Sequence, residues 1–579
     1  MKKLILPFAA LTILISIHTV LPQTLGDYIS EEKGDTLVIK DYYDMGNQPN
    51  SLYWVLALDT VNVPAGRVYE LRVNGYYPNE YTLTISANHP VIITGPHYNN
   101  SIYNTDSDSL PPLICNEVSL IIEHPPGIIA KGDLTIKNCM LTTANAAGDL
   151  GWEFAIASAP NLHLVFENCL FEHTLGAFVF INNVNCSVIF RDCYFVNMNG
   201  YPGTSLGGVL DCFAEQDTLL VENCTHIMAQ GYVYNFKRFP FKRIIFNHNT
   251  FVNCAGIVFT NPGYQNNVSI VNNIFVNCNL RPYSGIHNID SLEQDPDWEP
   301  MGLVNVYDSA KAPIKFYVDK NLIYWDPSLA DITQILNDNK VNGITNWQTQ
   351  MTTMNSRTAS MFSNYIKYPY LIEGTWYNKM PNFIDTKDLF TTQVTNLKAF
   401  VLSAADTSST TYFPSWRLID TNSVYPDWPV PINLAYNDSD LLTDGLGGFP
   451  LGDLNWFPVQ KLAWLVQRDY EYAQLDMWFP PKTGIERGKT SSQEFKLQQN
   501  YPNPFNPSTT ISFTIPKAAH VTLKIYNLLG QEVVTIMDDF KTPQKYEIKF
   551  DGSGLASGVY IARLTVGNLN KSIKLVLLK

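Results

Sequence analysis

Short apolar runs rich in β-branched and aromatic residues recur through the first half of the chain. None carries the 3.6-residue stripe of a helix, so the pattern predicts strands. Six of these runs share one phrase: apolar, polar, Asn or similar, Cys or Asn, any residue, large apolar. The copies are Ile136-Lys-Asn-Cys-Met-Leu141, Phe166-Glu-Asn-Cys-Leu-Phe171, Phe190-Arg-Asp-Cys-Tyr-Phe195, Val221-Glu-Asn-Cys-Thr-His226, Phe246-Asn-His-Asn-Thr-Phe251 and Ile270-Val-Asn-Asn-Ile-Phe275, with Val318-Asp-Lys-Asn-Leu-Ile323 as a seventh. Their fourth positions (Cys139, Cys169, Cys193, Cys224, Asn249, Asn273 and Asn321) are spaced 30, 24, 31, 25, 24 and 48 residues apart. A glycine opens the apolar run of each copy: Gly151, Gly176, Gly208, Gly231, Gly256 and Gly285. A circuit of this length cannot bury its apolar face alone, and stacking similar circuits solves that. The expected fold is a right-handed parallel β-helix, its hand set by the crossover rule.

Stacked coils place equivalent residues roughly 4.8 Å apart. The Cys/Asn column is therefore expected inside, with Asn side chains bonding to one another and to turn backbone. Cys serves there as a small buried hydrophobe, mostly as free thiol, since nine cysteines is an odd number. Cys254 and Cys278 form a second, shorter column. No C-x-x-C spacing supports zinc. The second phrase position runs Lys137, Glu167, Arg191, Glu222, an alternation expected of a solvated outer column.

The two ends differ from this middle. Met1-Lys2-Lys3 followed by apolar Leu4 to Val20 predicts a signal peptide over 1–25, and no later run is apolar enough to span a membrane. At the far end, alternating strands at 511–515, 521–526, 546–550, 559–566 and 573–578 predict a small Ig-like antiparallel β-sandwich over 489–579. Nine of the eleven Trp lie from Trp298 onward among Pro-rich phrases, so 326–488 is expected to cap a solenoid spanning 26–325. Within that cap, Pro458 to Asp476 reads as a helix with Pro at its first turn and Val459, Leu462, Ala463 and Val466 on one face. Pro, Gly and Ser phrases near Lys482 to Ser492 mark a linker.

Two stretches resemble known families. Val61-Asn-Val-Pro-Ala-Gly-Arg-Val-Tyr-Glu-Leu71 and Tyr81-Thr-Leu-Thr-Ile85 resemble the opening coils of the pectate-lyase-like superfamily. Asn500-Tyr-Pro-Asn-Pro-Phe-Asn-Pro, Ile525-Tyr-Asn-Leu-Leu-Gly-Gln-Glu-Val533 and Leu555-Ala-Ser-Gly-Val-Tyr560 resemble the C-terminal sorting domain of type IX secretion in Bacteroidetes and related bacteria. That second resemblance implies engagement of the secretion machinery, and a place outside the cell or on its surface.

A net charge of −14 without basic clusters excludes nucleic acid as a partner. Candidate chemistry sits where coil length varies. The extra residues of copies 1, 3 and 6 (142–150, 197–207 and 277–284) fall at one point of the circuit, where insertions build binding rims. Strict alternation from the glycines would then present Trp152, Phe154, Val209, Asp211, Tyr232, Tyr234, Ile257 and Phe259 outward. Aromatic faces beside a carboxylate suit sugar rings, so Trp152, Phe154, Tyr232, Tyr234 and Phe259 are the candidate substrate-binding residues. The opposite phase would bury them.

Arg238-Phe-Pro-Phe-Lys-Arg243 contains R-x-P-x-x-R and resembles a pectate-lyase phrase in which an arginine acts as base beside Ca²⁺-binding aspartates. That resemblance implies Arg238 or Arg243 as base, with Asp211 as the acidic neighbour. The upstream W-I-D-H phrase and the acidic cluster of those lyases are missing. Ca²⁺ enters only through this resemblance, and no other motif calls for a cofactor. The coils show neither the adjacent Asp pair nor the Gly-His-Gly of polygalacturonases, and Gly263-Tyr-Gln-Asn266 carries Asn where pectin esterases have Asp. His163, His173, His226 and His248 read as core or turn residues. Three functions are expected in order: polysaccharide binding or processing, a non-catalytic structural or adhesive surface protein, and a Ca²⁺-dependent polysaccharide lyase.

Overall fold

The computed structural model describes residues 24–478 and 496–579, except 61–62, 65, 88, 97–109, 118–124, 146–148, 202–203, 205, 238, 261–266, 286–298, 307–314, 407, 417–431, 516–518, 528–530, 542–544 and 567–568. The apolar leader Leu4 to Val20, the linker phrase, Arg238, Trp298 and the Gly263 phrase therefore lie outside the described residues. The chain divides into two compact units, Met1–Phe479 and Pro480–Lys579.

The first unit is built on three sheets whose strands come from successive coils. The first sheet has 12 strands, from Ile29–Lys33 to Leu371–Glu373; the second has ten, from Tyr76–Asn79 to Trp376–Asn378; the third has seven, from Leu83–Ile85 to Phe259–Thr260. Pairing is parallel throughout, apart from the antiparallel opening between Ile29–Lys33 and Thr36–Ile39. The phrase copies stack in register, with Ile136, Phe166, Phe190, Val221, Phe246 and Ile270 opposite one another.

Local backbone chemistry explains the phrase. Its third residue makes the corner between the first and second sheets, and in all seven copies it is left-handed: Asn138, Asn168, Asp192, Asn223, His248, Asn272 and Lys320 have φ between 51 and 60°. Asn and Asp tolerate that conformation better than other non-glycine residues. The fourth residue then points inward. Asn249 Nδ2 donates to Asn273 Oδ1 at 3.0 Å, and Asn273 Nδ2 to Asn321 Oδ1 at 3.0 Å. Each also reaches the preceding coil, Asn249 to the Val221 carbonyl and Asn273 to that of Phe246. Cys193 and Cys224 take the same place, their thiols facing the Phe166 and Phe190 carbonyls at 3.4 and 3.6 Å. All nine cysteines are free and buried.

Three expectations need correction. The solenoid does not stop near residue 325: Leu371–Glu373 and Trp376–Asn378 pair with the strands at 315–324 as a further coil. Its corner reads Gly374-Thr375 in place of Asn followed by Cys or Asn, so the phrase does not mark it. The charged column is solvated only at one end. Lys137, Glu167, Arg191 and Glu222 form a continuous chain of ion pairs at 2.6–2.7 Å, but Glu222 is fully buried. The helix Pro458–Trp478 covers it, bringing Arg468 Nε to 3.1 Å and the Tyr472 hydroxyl into hydrogen bonding with its carboxylate.

That helix also packs on the face opposite to the one its apolar spacing suggests. Val459, Leu462 and Val466 are exposed, whereas Trp464, Glu471 and Leu475 are buried. The coils beneath present Glu222, Asn247 and Asn272, and leaving such groups buried without partners costs more than exposing a few aliphatic side chains.

The second unit contains a three-stranded and a four-stranded antiparallel sheet around Phe505, Ile511, Phe513, Leu523, Ile525, Leu564 and Leu575. To the five strands expected it adds Lys496–Leu497, paired with Ser508–Thr514, and Glu532–Lys541, paired along Ala519–Tyr526. Among its described residues, as in the first unit, no helix is long and apolar enough to cross a membrane.

Candidate functional site

The third sheet decides which side chains are presented, and it does not alternate strictly. At the corner that opens each strand, two successive residues face the interior: Phe178 and Val179, Val209 and Leu210, Val233 and Tyr234, Val258 and Phe259. Phe154 and Ala155 do the same one coil earlier. The coils are tight here, since a Cβ on Gly256 would come within 2.0 Å of the Gly231 carbonyl oxygen. In the third coil the structural equivalent is Gly207, which donates its N–H to the Gly176 carbonyl and accepts from Gly231. Its φ of 101° requires glycine.

Phe154, Tyr234 and Phe259 are therefore core residues, each no more than 1% exposed, and cannot form a binding rim. The Tyr234 hydroxyl is hydrogen-bonded to His226, which stacks between Phe195 and Phe251. Burial drives His226 and His248 down to about 3, so both are neutral structural residues. Tyr232 and Ile257 do face outward, but they are buried together beneath Met301. Of the five expected substrate contacts, Trp152 alone remains partly exposed.

Trp152 stacks on Tyr201 with ring centroids 6.0 Å apart and planes inclined by 22°. Tyr412 meets Tyr201 edge-on. The three length-variable segments converge beside this group. Tyr201 belongs to the second insertion, held through its carbonyl by Gln230, and Arg281 of the third reaches the Thr204 carbonyl of the second. The first insertion closes through a bridge between Ala144 and Leu150, two residues before Trp152.

Beyond the inward pair, each strand turns one residue outward, giving the aligned column Ile156, Phe180, Asp211, Asn235 and Thr260. Asp211 is largely buried and lies 3.5 Å from the Lys237 ammonium. Lys237 is itself buried, with its ammonium 4.1 Å from the centre of the Phe213 ring, and Phe213 packs on Phe180. Glu153 follows Trp152 directly. A Cβ on Gly176 would come within 2.5 Å of the Trp152 carbonyl oxygen, so the two coils are tight here as well. Burial, and secondarily the Asp211 charge, push Glu153 up to about 7. Among the described residues no side chain or backbone group hydrogen-bonds to its carboxylate.

With Arg243 as base the lyase arrangement does not assemble, and Arg238 lies outside the described residues. Arg243 lies on the first sheet, ion-paired with Asp476 of the long helix, whereas Asp211 lies on the third. Ca²⁺ takes six to eight oxygen ligands. Among the described residues no group of three or more His, Cys, Asp or Glu is placed to hold a metal, and Asp211 is ion-paired with the Lys237 ammonium. The residues present do not fit Ca²⁺. Asp438 and Asp440 are bound by Lys379.

Sequence reasoning missed Glu153, Tyr201, Phe213, Lys237 and Tyr412. Tyr201 carried a usable signal, its place inside an insertion. Glu153 and Asp211 come from different coils, so no local motif could join them.

Residues 127–294 match the family model of the right handed beta helix region. Residues 499–578 match that of the secretion system C-terminal sorting domain. The protein is a secreted or cell-surface β-helix protein. No curated protein and no solved structure matches it. The sorting tail ties it to the secretion machinery of Bacteroidetes-type bacteria.

Proposed function

We propose that this protein binds polysaccharide outside the cell, along the outer face of the third sheet. The Trp152–Tyr201 stack carries the reading. It is a partly exposed aromatic platform, assembled where the insertions meet, and the same sheet carries the carboxyl groups of Glu153 and Asp211. Sugar rings stack their C–H faces on aromatic surfaces while their hydroxyls bond to nearby carboxylates, and this face offers both. A parallel solenoid adds a rigid backing, since each coil is hydrogen-bonded to its neighbours along the whole strand.

The test is a polysaccharide microarray (homogalacturonan, xylan, glucomannan, laminarin, alginate and chondroitin sulfate) probed with the full-length protein and with Trp152→Ala. Binding to at least one polymer, weakened about 10-fold or more in the variant at an unchanged unfolding midpoint, is the expected result; 10-fold corresponds to about 1.4 kcal/mol. Absence of binding, or equal binding by the variant, contradicts the reading.

A further inference from the structure

We infer that the polymer meets a second aromatic subsite, formed by Tyr81 with Tyr53 and Trp54, two coils before Trp152, and that one extended glycan chain spans both. This subsite rests on the polysaccharide reading above and fixes how the polymer lies and how long it must be. Coil register places the two groups in line. The strands Leu83–Ile85, Ile128–Ala130 and Ala155–Ala157 run parallel, with Leu83 opposite Ile128 and Ile128 opposite Ala155. Backbone bonds carry that alignment back into the corner before the third sheet. The Leu83 N–H donates to the Gly127 carbonyl at 2.8 Å, and the Gly127 N–H to that of Glu153 at 3.3 Å. Glu80 and Tyr81 therefore hold the corner positions that Pro125 and Pro126 take one coil on, and Trp152 and Glu153 two coils on. Two strand spacings are roughly 10 Å, about the length of two sugar residues in an extended chain.

The Tyr81 group is a fixed and open aromatic surface. Tyr81 is 50% exposed, with its ring centroid 5.0 Å from that of Tyr53 and 6.3 Å from that of Trp54. Tyr53 and Trp54 are partly exposed neighbours on the helix Ser51–Leu58, their rings edge-on at 5.0 Å. Asn50 ties the start of that helix to the corner. Its N–H donates to the Pro78 carbonyl, its amide to Glu80 Oε2 at 3.1 Å, and its Oδ1 accepts from the Glu80 N–H at 2.6 Å. The coil between the two aromatic groups contributes no charge at the corner, only the partly exposed Pro125 and Pro126. Their carbonyls are held by Asn116 Nδ2 at 3.1 Å and Thr82 Oγ1 at 2.9 Å. Apolar rings of this kind suit the C–H faces of sugars. A chain docked on Trp152 reaches Tyr81 at high effective concentration, so the second subsite adds affinity only for ligands long enough to span the gap.

The experiment measures how tightly the full-length protein binds oligosaccharides of increasing length, from dimer to hexamer, cut from the polymer it binds best on the array. Tyr81→Ala, Tyr81→Phe and Trp152→Ala are measured beside it. Parent affinity should rise about 5-fold or more from dimer to hexamer. Tyr81→Ala should remove that rise while binding the dimer as the parent does, at an unchanged unfolding midpoint. Tyr81→Phe keeps the ring and should match the parent, and Trp152→Ala should weaken binding at every length. A parent affinity that does not change with length overturns the second subsite, leaves the Trp152–Tyr201 platform standing, and needs no variant to show it. A rise retained in Tyr81→Ala overturns the subsite as well, and so does an equal loss at every length. Failure of the parent protein to bind any polymer, or of Trp152→Ala to weaken that binding, overturns the underlying reading.

Discussion

Two carboxyl groups of the first unit, the buried Glu471 and the half-buried Glu153, are both raised to about 7 by desolvation, yet their surroundings differ completely. Glu471 accepts from Asn247 at 2.7 Å and Trp464 at 3.0 Å, with Asn272 and Gln467 farther off at 3.3 and 3.5 Å. Its donors come from two coils and from its own helix, so it staples that helix to the first sheet. Glu153 has no such donors, and its charged neighbour is another carboxylate. A raised carboxyl value therefore does not mark function by itself. The first group is satisfied and closed over; the second has no hydrogen-bond donor among the described residues.

The largest effect is expected on the stapled side. Trp464→Ala removes a fully buried indole and the bond to Glu471, and should lower stability by about 3–5 kcal/mol, read as a fall in the guanidinium midpoint. Glu471→Leu leaves Asn247 and Trp464 without their acceptor and should cost about 1–3 kcal/mol. If either change were neutral, the helix would not be stapled and the contrast would fail.

The pH dependence sharpens the comparison. Each group has a folded value near 7, above the ordinary 4.5, so the folded chain binds the proton more tightly. Below pH 4.5 both states are protonated and neither group affects stability. From 4.5 to 7 the unfolded chain ionises first and stability falls; above about 7 the loss is complete. Glu153→Gln removes its share of this loss, so its midpoint should exceed the parent's at pH 8, by about 1 kcal/mol, and equal it at pH 4. A midpoint lower at pH 8 would show that the Glu153 carboxylate is satisfied as Glu471 is. The smallest change in stability is expected from Trp152→Ala, within about 0.5 kcal/mol, because its ring lies outside the core.

The two regions also differ in how far the sequence foretold them. The fold was legible because each coil is specified locally: a left-handed Asn or Asp at the corner, then an inward Cys or Asn, leaves a periodic trace. The internal Asn ladder followed from that trace alone. The outer face was less legible, for a geometric reason. Two consecutive inward residues at the third-sheet corner shift the phase by one, which moved Phe154, Tyr234 and Phe259 from the expected rim into the core. The packing face of the long helix was misread because buried polar groups, rather than its aliphatic stripe, chose it. Asp211 and Trp152 were named from sequence, but their partners Lys237, Glu153 and Tyr201 belong to other coils or to an insertion and come together only in three dimensions.

The central claim is that the open side of this comparison is a polysaccharide-binding face. Its most direct test is the affinity of the full-length protein for the polymer it binds best on the array, measured beside Trp152→Ala and Leu462→Ala. The latter alters an exposed side chain on the stapled helix. The account predicts at least 10-fold weaker binding for Trp152→Ala and parent affinity for Leu462→Ala. Equal affinity across all three proteins would contradict it.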